Sequence, residues 1–112
     1  MGGLEVSTPS DGVLDVRIDR GPDNLMTVGM CEELTAVLLD PPKGAHVLRL
    51  TAAGPAFCLG RERAARTPGE LRAETRVLVG VQRALRTTAM VTVAEVQGDA
   101  AGFGVGLFAA SP

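Results

Sequence analysis

The sequence predicts an α/β fold with parallel strand pairing. Three observations carry this reading. Short apolar runs alternate with amphipathic stretches, two of those runs lead into glycine-rich segments, and no linker or repeat breaks the 112 residues. A chain of this length builds one core, so residues 1–112 read as a single domain or part of one.

Each element has a local cause. Leu4–Ser7 and Val13–Asp19 read as strands around Pro9-Ser10-Asp11-Gly12, whose Asp-Gly pair is a hairpin turn signal. Arg20–Met26 is a loop holding Gly-Pro-Asp-Asn. Thr27 caps a helix to about Leu39, with Cys31, Leu34 and Leu38 on one face, and Pro41-Pro42 stops it. His46–Thr51 is the third strand. Thr67-Pro68-Gly69-Glu70 then has the form of a helix start: Thr67 as N-cap, Pro68 at the first position and Glu70 closing a capping box. That helix reaches about Arg86, with Leu71, Leu78, Val81 and Leu85 as its buried stripe. Met90–Val96 is the fourth strand, and Gly104–Ala110 a short helix. The expected order is ββαβαβα. An apolar run such as Met90–Val96 needs cover on both faces, more than these helices supply.

Composition narrows the function. The net charge of −2 and the lack of Trp and Tyr argue against a nucleic-acid binder. The charge is uneven: residues 1–60 hold eight acids and four bases, whereas residues 61–112 hold five acids and seven arginines, all between Arg61 and Arg86. A solvated helix face is the simpler explanation of that cluster, a phosphate-binding patch the alternative. The apolar stretch Ala100–Ala110 is too short to cross a bilayer, so no membrane partner is expected. Cys31 and Cys58 make no disulfide framework and no signal peptide is evident, so a cytoplasmic location is the expectation. No metal site is expected.

The chemistry concentrates in two segments: Gly54-Pro55-Ala56-Phe57-Cys58-Leu59-Gly60-Arg61-Glu62, and Gly98-Asp99-Ala100-Ala101-Gly102-Phe103-Gly104-Val105-Gly106. Each follows a strand, where α/β folds bind ligands. Glycines there let backbone N–H groups approach a ligand, and two converging loops can each offer one to the same oxygen. Neither has the Gly-Lys-Ser/Thr ending of a P-loop, and Gly102, Gly104 and Gly106 do not form a dinucleotide fingerprint. Taken singly, either is explained as a tight strand-to-helix turn.

Together these segments resemble the crotonase superfamily, the enoyl-CoA hydratases and isomerases. Ala56-Phe57-Cys58-Leu59-Gly60-Arg61-Glu62-Arg63 is similar to that family's Ala-Phe-Cys/Ser-Ala-Gly-Ala-Asp-Leu. Glu95-Val96-Gln97-Gly98-Asp99-Ala100-Ala101-Gly102-Phe103-Gly104 is similar to its Ala-Val-Asn-Gly-x-Ala-x-Gly-Gly-Gly, and Arg20 through Leu25 to its Arg-Pro…Asn-Ala-Leu. The resemblance runs the length of the chain in order, and it implies the crotonase-like (ClpP/crotonase) β-β-α layered fold, truncated to its N-terminal part. It also implies an acyl-CoA thioester as ligand and no separate cofactor. The thioester oxygen would lie between the backbone N–H groups of Arg61 and Phe103. Pro22, Leu59, Gly60, Arg63, Gly102 and Gly106 would line the substrate path, with the arginines near the CoA phosphates. A homo-oligomer, trimer or hexamer in the family, or a completing chain is implied as partner. The implied chemistry is that of a lyase or isomerase of fatty acid or polyketide metabolism.

The departures bear on turnover. Gly106 stands where hydratases carry a catalytic glutamate. Phe103 replaces a glycine, which brings strain if that position needs positive φ. Glu62, where the family often has Asp, is an acid/base candidate. The family's domain is more than twice this long, and its second half supplies another acid/base residue and the assembly helices. The expectation is therefore a fragment, or a chain with impaired hydratase chemistry. The alternative is a non-catalytic binding or assembly protein completed by a partner chain. A Clp-type serine peptidase is disfavoured, since neither loop carries a serine. Elsewhere His46 reads as an edge residue, Cys58 as a packing residue rather than a nucleophile, Asp99 as a turn residue and Glu95 as structural.

Overall fold

The computed structural model describes residues 3–109. Nine elements follow in order: β1 (Leu4–Ser10), β2 (Val13–Ile18), α1 (Val28–Leu39), β3 (Val47–Ala52), β4 (Ala56–Cys58), α2 (Pro68–Thr87), β5 (Val91–Ala94), β6 (Asp99–Ala100) and α3 (Phe103–Ala109). The six elements from Val47 onward thus form two successive β-β-α units, β3-β4-α2 and β5-β6-α3. The expected order lacked β4 and β6, because strands of three and two residues are too short to show a period.

The main sheet has the order β1-β2-β3-β5. β1 and β2 form the antiparallel hairpin, with Ser10 opposite Val13 and both turn residues, Asp11 and Gly12, at positive φ (54° and 80°). That is the twist-matched turn which an Asp-Gly pair favours. β2 and β3, and β3 and β5, pair in parallel. A second sheet consists of β4 and β6 alone, also parallel, with Ala56 opposite Asp99 and Cys58 opposite Ala100.

Both long helices start as their sequences demand. The Thr27 hydroxyl accepts from Met30 N–H (3.1 Å), and the Thr67 hydroxyl from Glu70 N–H (3.1 Å). The Glu70 carboxylate reaches back to Arg66 N–H (2.7 Å), one residue before the expected partner. Leu14, Val16, Ile18, Leu48 and Leu50 of the main sheet join one core with Met30, Cys31, Leu34 and Leu38 of α1 and Val81, Ala84 and Leu85 of α2. Each such aliphatic side chain contributes roughly 1.5–3 kcal/mol relative to exposure.

Leu71 departs from the expected stripe. It is 47% exposed, because α2 becomes buried only from Glu74 onward. α3 starts at Phe103, one residue earlier than expected, and Ala110 lies outside the described residues. The need for cover over the fourth predicted strand is visible: Val91 and Val93 of β5 are 58% and 43% exposed. No helix among the described residues is long and apolar enough to cross a membrane.

Candidate functional site

Three segments meet at the ends of the strands. The segment after β2 turns at Asn24, which is fully buried and at φ 51°. Its side chain accepts from Arg20 N–H (2.8 Å) and donates to the carbonyls of Ala53 and Ala56 (both 2.8 Å). Further on, Asp23 carbonyl accepts from Leu59 N–H (3.0 Å), and Met26 bridges Arg61 in parallel through Met26 N–H to Gly60 carbonyl (3.0 Å) and Glu62 N–H to Met26 carbonyl (2.9 Å). The first glycine segment is thus pinned along one side. Extended backbone alternates its N–H directions, so Arg61 N–H points away from Met26. It has no protein acceptor among the described residues.

The second segment lies against the other side. Ala101 N–H donates to Cys58 carbonyl (3.1 Å), and the Gln97 side chain donates to the carbonyls of Gly54 and Ala56 (both 2.9 Å). Backbones approach so closely that a Cβ on Gly98 would collide with Pro55 carbonyl, and one on Gly104 with Cys58 carbonyl. At the start of α3, Gly104 and Val105 N–H bond to Ala101 and Gly102 carbonyls, while Phe103 N–H has no protein acceptor among the described residues. Gly102 takes the positive φ (55°) and Phe103 does not, so the feared backbone strain at Phe103 is absent.

The remaining expected residues fall as follows. Gly60 is buried at φ 136°, a conformation that suits glycine, whereas Leu59, Pro22 and Arg63 are exposed. Glu62 is exposed and held by Arg20 (2.7 Å), so its carboxylate already has a cationic partner. The Arg61 side chain turns to α2 and pairs with Glu74 (3.0 Å) where both are largely shielded. Gly106 is half-buried, and a Cβ there would meet the amide end of Gln82 from α2. His46 and Asp99 are exposed, and Glu95 pairs with Arg49 (3.5 Å) on the sheet surface. Among the described residues no three His, Cys, Asp or Glu side chains come together. The sequence reading missed Asn24 and Gln97 as positioning groups, and Gln82 as the neighbour of Gly106; an Asn inside a loop of Gly-Pro-Asp-Asn was the one local sign.

Shallow, open clefts lie beside these loops rather than on them. One of about 500 Å³ is lined by Val28, Ala65, Arg66 and Glu74, adjoining the Arg61–Glu74 pair. Another, of about 370 Å³, runs between α1 and α2 past Ala36, Leu39, Val77 and Gly80.

Both thiols are buried. Cys58 donates to Gly60 carbonyl (3.2 Å), and desolvation raises its pKa above the ordinary thiol range; desolvation pushes Cys31 up to about 12. Both stay protonated at neutral pH, which is the packing role expected of Cys58. Stability from burying neutral Cys31 is fully present below its ordinary value of 9.0 and is lost as pH rises from there toward about 12. Iodoacetamide at pH 8 is expected to leave both cysteines unmodified in the native protein and to alkylate both in urea. Mass spectrometry showing native alkylation at Cys58 would overturn this.

No family model matches the sequence, and no curated protein does. Solved structures do. The chain aligns over its whole length with an enoyl-CoA hydratase from Mycobacterium avium subsp. paratuberculosis K-10, at 31% identity and a TM-score of 0.82, covering 45% of that protein. An enoyl-CoA hydratase from Bacillus anthracis matches over 97% of this chain and 45% of its own, at 24% identity and a TM-score of 0.87. An enoyl-CoA hydratase/isomerase from Marinobacter aquaeolei matches over 94% of this chain and 45% of its own, at 20% identity and a TM-score of 0.80. The chain therefore spans a little under half of each of these structures. With the β-β-α units and paired glycine loops described above, it belongs to the crotonase superfamily, in the enoyl-CoA hydratase/isomerase family, and corresponds to the N-terminal half of that fold.

Proposed function

We propose that this chain binds an acyl-CoA thioester, whose carbonyl oxygen is received by the backbone N–H groups of Arg61 and Phe103. One observation carries the reading: the two N–H groups lie on loops pinned side by side, and neither has a protein acceptor among the described residues. Such preorganised donors stabilise charge on a thioester oxygen without reorganising. Leu59, Gly60 and Gly102 border the oxygen site in this reading, with Pro22 and Arg63 along the CoA path and Gly106 toward the acyl group.

The same residues favour binding over turnover. Gly106 carries no proton-transfer group, and Glu62 is held by Arg20. Crotonyl-CoA is expected to give saturable heat in calorimetry, and free CoA much less. Replacing the Phe103 amide by an ester, with phenyllactic acid at that position, deletes one donor and is expected to weaken binding about threefold to tenfold. No heat with any acyl-CoA would sink the reading.

A second reading, an assembly protein completed by a partner, is favoured by one face. Val91 and Val93 are exposed on a strand pairing in parallel, a class of sheet that is normally covered on both faces. Here the cover is a second copy or a completing chain, and sedimentation of the same samples reads it: a compact monomer with or without acyl-CoA counts against it.

A further inference from the structure

Position 106 has no side chain, yet the space above it is filled. The carboxamide of Gln82, half-buried on α2, reaches over the Gly106 Cα so closely that a Cβ there would meet its Nε2. Among the described residues this amide makes no hydrogen bond to protein. Gly106 lies three residues after Phe103, so it shares that side of α3 about 4.5 Å farther along the axis. An acyl group whose thioester oxygen sits on the Phe103 N–H would present its third carbon to the Gln82 amide.

We propose that Gln82 is a specificity-determining residue of the proposed acyl-CoA site, its carboxamide N–H donating to an acceptor oxygen on the acyl chain near the third carbon. The proposal rests on the acyl-CoA reading above. An amide donates and accepts hydrogen bonds but exchanges no proton at neutral pH, so this group selects ligands without activating them. It therefore sorts acyl groups by polarity: a chain oxygenated at the third carbon gains a bond, and a saturated chain of equal length leaves the amide facing hydrocarbon.

Calorimetric titration with acetoacetyl-CoA and butyryl-CoA tests this, because the two share a four-carbon chain and differ by the oxygen at the third carbon. The unmodified chain is expected to bind acetoacetyl-CoA about threefold to tenfold more tightly, the scale of one hydrogen bond. Gln82→Met keeps the side chain's length without its donor, and Gln82→Ala removes both; in each the ratio of the two affinities is expected to fall toward one. Equal affinities in the unmodified chain, or a preference that survives in Gln82→Met, would overturn the proposal while leaving acyl-CoA binding intact. Binding of neither thioester removes the acyl-CoA reading, and this assignment with it.

Discussion

Gly104→Ala is expected to cost at least ~3 kcal/mol of stability, the upper end for overpacked interiors, read as a fall in the urea midpoint. Gly104 is buried, and its missing Cβ would stand inside the Cys58 carbonyl and 3.0 Å from the Cys58 Cβ. A flexible side chain can swing away, but a carbonyl that also accepts from Ala101 N–H cannot. Relief therefore requires α3 to lift from β4, which separates the Arg61 and Phe103 donors. Gly98→Ala meets the Pro55 carbonyl in the same way. The contrast is Gly80→Ala in α2, where nothing lies within 4 Å of the added methyl. That change is expected to gain about 0.5–1 kcal/mol through helix propensity. If Gly104→Ala proved as stable as the unmodified protein, the two loops would not be in backbone contact.

Asn24→Ala is expected to cost roughly 3 kcal/mol by chemical denaturation. Two physical effects add. The buried amide satisfies Arg20 N–H and the carbonyls of Ala53 and Ala56, and Gln97 shares only the last of these. The backbone also sits at φ 51°, which Asn tolerates and Ala does not. Asn24→Gly loses the hydrogen bonds and keeps the conformation, so it is expected to recover about 1 kcal/mol relative to Asn24→Ala. Equal losses in the two variants would show that the hydrogen bonds alone matter. Acyl-CoA affinity is expected to fall with stability, since Asn24 holds the loop on which Arg61 N–H is presented.

Much of this architecture is written in short-range chemistry. Asp11-Gly12 demands a tight hairpin, Thr27 and Thr67 satisfy the first helical N–H groups, and Pro68 suits a helix start whatever lies around it. The four longer strands carry enough apolar residues to declare themselves. Leu71 shows the limit of the same reasoning: its spacing fits the buried stripe, but spacing does not say how far along a helix the neighbouring element extends, and it lies exposed.

Sequence by itself determined the two glycine segments, their order after successive strands and the family they resemble, because those depend on residue type and spacing. It also placed a residue without proton chemistry at position 106. Tertiary structure alone decided that the segments become one surface. β4 and β6 are too short to exist except against each other, Gly98 and Gly104 allow a contact no local pattern announces, and Asn24 and Gln97 bond to carbonyls some 30 to 40 residues away. The reason is physical: a hydrogen bond between distant segments forms only after the chain entropy of bringing them together has been overcome by burial elsewhere. Which N–H groups remain free for a ligand is what that packing leaves over, and so it is settled last.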